Sequence, residues 1–291
     1  MHIDLHHFTG KNMGVLRIAA FSDANSGGNP AGIMLADKLP DADEMQRVAA
    51  EVGFSETAFA APLGTGWRVR YFSPESEVPF CGHATIALGA ALALRHGDGI
   101  FGLALNQADI TVEGCRNGEV ITAALQSPPT QSMPARAPLV SAALDLFGYT
   151  ADDLDPRIPP ALVHGGADHL ALGLRSRETL AAMKYDLDTG RRLMKQAGLV
   201  TILLVWAETS QRFHTRNPFA SGGVYEDPAT GAATAAFAGY LRDIEWPHGG
   251  VIDLLQGEDM GMRSRLRAEI PTTPGSSIRV SGTARIMSEF E

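Results

Sequence analysis

The sequence predicts an α+β protein of two similar halves, each wrapping strands around one central helix. Three observations lead there. Short strand-like runs recur along the chain with Gly, Asn and Pro turns between them. Two helical stretches, "CGHATIALGAALAL" from Cys81 and "PATGAATAAFAGYL" from Pro228, consist almost wholly of Ala, Gly, Thr and Leu; a helix that is apolar all round and small-sided has to be buried on every side. Finally, "SPPTQSMPARAPL" breaks from the strands before it, and its prolines deny backbone donors, so it reads as the linker between halves spanning 14–127 and 128–291, with the last strand free to return to the first half.

The elements follow in order. "VLRIAAF" and "GIMLA" read as strands around the turn "SDANSGGNPAG", a hairpin-like opening. Asp41 or Asp43 starts a helix in which Met45, Val48, Ala49 and Val52 share a face, and Gly53 ends it. "SETAFAAP" and "WRVRYFS" supply the next strands, then comes the first small-residue helix, then "GIFGLAL", "DITVEG" and "EVITAALQS". The second half repeats the plan: a helix at "SAALDLFG", a strand at "HLALGL", a helix at "DTGRRLMKQAG", strands at "VTILLVWA" and "QRFHTR", the second small-residue helix, and closing strands at "MRSRLRAEI" and "SSIRVSGTARIM".

Composition excludes several classes. Lys plus Arg is 24 against 33 Asp plus Glu, and the net charge of -9 argues against nucleic acid or anionic membrane as partners. The longest apolar stretch, Ala84 to Leu94, falls far short of the roughly 20 residues of a membrane span, so the expectation is a soluble, cytoplasmic protein. Two cysteines, Cys81 and Cys115, make no disulfide framework and show no metal-ligand spacing. Residues 1–13 read as a leader or extension; its His2, His6 and His7 are a metal-binding alternative to a polar terminus without structure. There is no Walker loop and no dinucleotide fingerprint, and no cofactor is expected.

Chemistry is expected where the small-residue helices begin. Helix N-termini carry unpaired N–H groups and the positive end of the dipole, so two of them predict a carboxylate or phosphate ligand held between the halves. Gly82 and Gly231 suit close backbone approach, or merely let helices pack. Asp227-Pro228 fits an N-cap followed by Pro at the first helical position, and spacing alone favours capping over chemistry. His83 sits in the first turn, where it either moves a proton or is structural. Glu56 enters a strand of Ala and Phe; buried, it would be a proton carrier near neutral pH, and on a wet strand edge it would be inert. Cys81 has no evident partner in the sequence, and the second opening has Pro228 rather than a matching thiol.

Taken together, "GGNPAGIML", "GFSETAF", "RYFSPESEVPFCGHAT", "YEDPATGAA", "QGEDMGMRS" and "SSIRVSGTA" resemble the PhzF-like phenazine-biosynthesis family of the diaminopimelate epimerase superfold, from about Gly14 onward. The resemblance implies two pseudo-symmetric domains, each a mixed sheet rolled into a barrel around a central helix, with a cleft between them, a homodimer, and no metal or redox cofactor. It implies isomerisation of a dihydro-hydroxyanthranilate-like carboxylate, with Glu56, His83 and Asp227 as the catalytic residues and backbone near Gly82 and Gly231 holding the carboxylate. The family often places Ser where this chain has Ala232, which puts a hydroxyl contact to substrate there in doubt. Cys81 remains a secondary candidate: it occupies the place of one racemase thiol, and it is read here mainly as part of an anion cradle. Racemisation or epimerisation through Cys81, and ligand binding without catalysis, are the alternatives.

Overall fold

The computed structural model describes residues 14–288. The N-terminal extension, with His2, His6 and His7, lies outside them. The chain divides into two compact units, one made of residues up to Ala20, Pro30–Leu125 and those from Thr283, the other of Phe21–Asn29 and Gln126–Gly282.

The first unit contains β1 (Val15–Ala20), β2 (Asn29–Leu35), α1 (Ala42–Val52), β3 (Thr57–Leu63), β4 (Gly66–Phe72), a two-residue β5 (Glu77–Val78), α2 (Gly82–His96), β6 (Gly99–Ala104), β7 (Asp109–Asn117) and β8 (Val120–Gln126). Strand order is β1-β2-β3-β4-β6-β7-β8, and the final strand of the chain, Arg279–Ile286, neighbours β8 and pairs back on β1 with Ile18 opposite Ile286. Eight strands therefore close a barrel. The β2–β3 and β4–β6 pairs are parallel, while β3–β4, β6–β7 and β7–β8 are antiparallel, so the sheet is mixed.

Helix α2 runs inside this ring, since it touches β1, β3, β6 and β7, and every residue from His83 to Ala93 is buried. Its small side chains are what allow this. A Cβ added to Gly114 of β7 would lie 2.2 Å from the carbonyl oxygen of Gly89, so the two backbones meet with nothing between them. Helix α1 is different in kind: amphipathic, capped by the Asp41 carboxylate accepting from the Glu44 N–H at 2.8 Å, and stopped by Gly53 at φ 73°. Met45, Val48 and Ala49 pack it onto Phe59 and Phe72.

The second unit contains β9 (Gln131–Pro134), α3 (Ala137–Phe147), β10 (Ala161–His164), β11 (Asp168–Leu174), α4 (Arg177–Ala181), α5 (Leu187–Ala197), β12 (Thr201–Ala207), β13 (Arg212–Arg216), β14 (Pro218–Phe219), β15 (Val224–Glu226), α6 (Gly231–Asp243), β16 (Val251–Gln256), β17 (Ser264–Glu269) and β18, the final strand already described. Its order is β18-β17-β16-β13-β12-β11-β10-β9. Helix α6 touches β9, β10, β11 and β17 and is buried along nearly its whole length. Here too backbones meet: a Cβ on Gly165 would lie 2.6 Å from the Ala236 nitrogen.

One expectation fails in part. The proline-rich stretch read as linker contains β9, with Met133 opposite Leu162 on β10. The prolines are compatible because β9 lies at the end of the strand order, where unpaired N–H groups are not needed. Sequence reading also passed over β10, α4 and β16. No helix among the described residues is long and apolar enough to cross a membrane.

Candidate active site

In the first unit the chemistry gathers at the start of α2. The chain leaves β5, and Cys81 takes the N-cap position with extended backbone, φ -143° and ψ 118°. The Cys81 carbonyl accepts from the Thr85 N–H at 3.0 Å and from the Thr85 hydroxyl at 2.7 Å. Thr85 is in turn 2.7 Å from the hydroxyl of Tyr71, a phenol whose pKa is pushed up chiefly by complete burial. These neutral contacts fix the first turn while leaving the Cys81 thiol for a different neighbour.

That neighbour is His83. Its Nδ1 is 3.3 Å from Cys81 Sγ, and its Nε2 is 3.4 Å from both the Ser55 hydroxyl and Glu56 Oε2. Glu56 stands just before β3, where its own carbonyl accepts from Gly32 N–H at 3.2 Å and so anchors the backbone to β2. The side chains of His83 and Glu56 are 7% and 15% exposed, so solvent screens their interaction weakly. Cys81 therefore does have a partner, contrary to the sequence reading, and Glu56 is nearly buried beside an imidazole rather than on a wet edge. An imidazole between a thiol and a carboxylate can pass a proton either way.

In the second unit the start of α6 departs from expectation. The helix begins at Gly231 with Thr230 in the N-cap position, so Asp227 and Pro228 are neither N-cap nor first helical residue. Asp227 is instead a clamped carboxylate: Oδ1 accepts from Asn29 Nδ2 at 2.8 Å, and Oδ2 accepts from the Thr230 hydroxyl. Asn29 donates as well to the Ala229 carbonyl at 3.1 Å. Gln256, at the end of β16 and 1% exposed, braces the same loop; its Nε2 donates to the Asp227 carbonyl at 2.6 Å and its Oε1 accepts from Thr230 N–H at 3.3 Å. Gly231 faces the ring of Phe21, itself held at φ 59° and fully buried. Ala232 follows it as the second helical residue.

Aligned on their true starts, the helices read Cys81-Gly82-His83-Ala84-Thr85 and Thr230-Gly231-Ala232-Ala233-Thr234. The counterpart of Cys81 is Thr230, not Pro228. Sequence reasoning missed Asn29 and Gln256, although both lie inside motifs already noted, "GGNPAG" and "QGEDMG". Their signal is buried polarity, which only packing reveals.

The fold is shared with a hydroxyproline epimerase from Agrobacterium vitis, which superposes with a TM-score of 0.60 at 11% identity, covering 94% of this chain and 89% of that one. A PhzF-family phenazine biosynthesis protein from Bacillus anthracis superposes better, with a TM-score of 0.82 at 24% identity over 94% and 96% of the two chains. The sequence profile described as phenazine biosynthesis-like protein matches residues 18–289, and the chain belongs to that family. Its relatives include the trans-2,3-dihydro-3-hydroxyanthranilate isomerase of Pseudomonas aeruginosa, 32% identical over 94% of this chain and 96% of that protein. An uncharacterized isomerase of Mesorhizobium japonicum is 30% identical over 91% and 93%. The chain is thus an isomerase of the PhzF family.

Proposed function

We propose that this isomerase moves a proton within a small carboxylate-bearing substrate, with Glu56 as the proton carrier. The observation that carries the reading is the nearly buried pair Glu56–His83, with Oε2 3.4 Å from Nε2. Glu56 removes a proton from carbon beside an activating group and returns it to another carbon on the same face, so the reaction is balanced without any co-reactant. His83 orients the carboxylate and assists proton movement; in the second unit Asp227, whose clamp fixes both oxygens, is the further catalytic candidate. The N–H groups at the start of α2, near Gly82, hold the substrate carboxylate and stabilise developing negative charge; the start of α6 at Gly231 offers a second set of the same kind. The named relative supports a cyclic, conjugated amino acid such as trans-2,3-dihydro-3-hydroxyanthranilate as the substrate class. Catalysis without a cofactor and assembly as a homodimer belong to the same proposal.

A second reading, racemisation or epimerisation of an amino or hydroxy acid through Cys81, is favoured by the 3.3 Å approach of Sγ to His83. Product constitution separates the two, because epimerisation leaves every double bond where it was.

Glu56→Gln tests the first reading. It keeps shape and removes the carrier, so the variant should fold and bind a cyclic carboxylate while turnover falls by at least about 100-fold. Wild type in D2O should place deuterium at the reacting carbon unless the same proton returns before exchange, so product and label are measured together. Wild-type turnover by Glu56→Gln would end the one-carboxylate shuttle.

A further inference from the structure

Three donors of different chemistry converge at the start of α2: the Cys81 thiol, the His83 imidazole and the Glu56 carboxylate, with their ligating atoms all within 4.8 Å of one another. They are 25 and 27 residues apart or more closely spaced only as Cys81-Gly82-His83, which is why no ligand spacing is visible in the sequence. We propose that these three residues form a binding site for a borderline-soft divalent ion, Zn2+ being the type case, and that occupancy is inhibitory rather than cofactor-like.

The geometry argues for a tetrahedral ion. Zn2+ bonds of about 2.3 Å to sulfur and about 2.0–2.2 Å to nitrogen and oxygen place tetrahedral donors about 3.3–3.7 Å apart. About the single nitrogen Nε2 the separations are 3.4 Å to Glu56 Oε2, already of that size, and 3.9 Å to Cys81 Sγ, a few tenths of an ångström longer. The imidazole now turns one nitrogen to each neighbour, so binding requires thiol and carboxylate to converge on a single nitrogen. The backbone on both sides is held, by Thr85 at the Cys81 carbonyl and by Gly32 at the Glu56 carbonyl, so the adjustment falls to the side chains. Three protein ligands leave a fourth position for water or an anionic oxygen.

Donor softness sets the selectivity. A thiolate with an imidazole suits Zn2+ or Co2+, while Mg2+ wants an octahedron of oxygens, for which this site has one carboxylate. The thiol must lose its proton to ligate, so one proton leaves Cys81 for each ion bound and affinity rises with pH. The inhibitory consequence rests on the proton-carrier reading above, because the ion would occupy the Glu56 oxygen that takes the substrate proton. The site itself does not rest on it.

Co2+ is the probe, titrated into the full-length protein kept reduced by a non-chelating phosphine. One equivalent should give a thiolate-to-cobalt charge-transfer band with intense tetrahedral d–d absorption; Zn2+ should bleach both and Mg2+ should leave them. The Cys115→Ser variant should keep the band, and Cys81→Ser should lose it. His83→Gln and Glu56→Gln should each weaken Co2+ by more than the about 10- to 100-fold that altering an outer partner costs, with circular dichroism checking that each is folded. A missing band, a band that survives Cys81→Ser, or cobalt binding with no thiolate band, as His2, His6 and His7 would give, overturns the proposal. Turnover under the same titration is read separately: a loaded but fully active enzyme counts against Glu56 as carrier and leaves the metal site standing.

Discussion

The two small-residue helices begin with the same five-residue frame and carry opposite chemistry. At α2 the N-cap and second helical residue are Cys81 and His83, and the Glu56 carboxylate, from the residue before β3, meets the imidazole at 3.4 Å. At α6 the same positions hold Thr230 and Ala232, and the neighbouring carboxylate, Asp227, is bound on both oxygens by Asn29 and Thr230. The frame positions a first turn in either case; what differs is whether its side chains meet further ionisable groups or brace a loop. The buried histidines repeat the contrast. His83 has a partner for each nitrogen, whereas His169 of the second unit, 0% exposed, shares Nδ1 with the Thr201 hydroxyl at 2.7 Å and has no partner for Nε2 among the described residues.

The contrast is sharpened most by acid. Burial pushes the His169 pKa down to about 3, against about 6.5 in an unfolded chain. The unfolded state therefore holds the extra proton between those values, so this residue's contribution is complete above pH 6.5 and shrinks as pH falls towards 3. The slope is at most about 1.4 kcal/mol per pH unit, and the total about 4 to 5 kcal/mol. Urea denaturation at several pH values should show His169→Leu with a shallower acid limb than wild type by about one proton. An unchanged slope would mean His169 is charged or hydrated in the folded protein.

Asp227→Asn asks whether the braced carboxylate is more than a brace. Asn can accept from Asn29 and donate to Thr230, so the loop should hold and melting should move little. If Asp227 ionises in the reaction, turnover falls by about 100-fold, or about 2.7 kcal/mol. Unchanged turnover would leave the second helix start with a structural role only.

Gln256→Leu removes the brace instead. Thr230 N–H loses its acceptor, the Asp227 carbonyl its donor, and the buried setting offers nothing in exchange, so stability should drop by about 1–3 kcal/mol in chemical denaturation. Gln256→Glu should lose at least as much, since its buried carboxylate still accepts from Thr230 N–H but sets an oxygen against the Asp227 carbonyl and an uncompensated charge in a buried place. A loss in Gln256→Leu alone would locate the effect in packing rather than in hydrogen bonding.

Much of this was readable from the residues. Ala-Gly-Thr runs announced α2 and α6 because nothing larger fits where Gly114 meets Gly89, and Asp41 with Gly53 marked both ends of α1 by ordinary capping. Glu56 and His83 could be named as candidates, but their contact joins residues 27 apart through the β3–β4 hairpin, which no local pattern encodes. Asp227-Pro228 misled because the Asp–Pro signal of a helix start is also what a clamped loop three residues upstream looks like. Strand β16 escaped notice since "VIDLLQ" has no clean alternation, being buried at Ile252, Leu254, Leu255 and Gln256.

Ala232→Ser is the smallest and most direct attempt to erase the difference between the helices. It puts a hydroxyl at the α6 position corresponding to His83, on a half-buried residue in the first turn. A serine there is near neutral for the fold, within about 0.5 kcal/mol by melting, because the first turn has unpaired N–H groups that a hydroxyl can meet. If the α6 start contacts substrate, one new neutral hydrogen bond is worth about 0.5–1.5 kcal/mol, so kcat/KM should rise by about 2- to 12-fold. A gain confined to KM would mean the hydroxyl binds ground state and transition state alike. A gain in kcat would mean it meets charge that develops only during proton transfer, and the second helix start would then take part in the chemistry. No change in either constant, with melting also unchanged, would mean that Ala232 lies out of reach of the substrate and that the two helix starts differ because only the first is needed for the reaction.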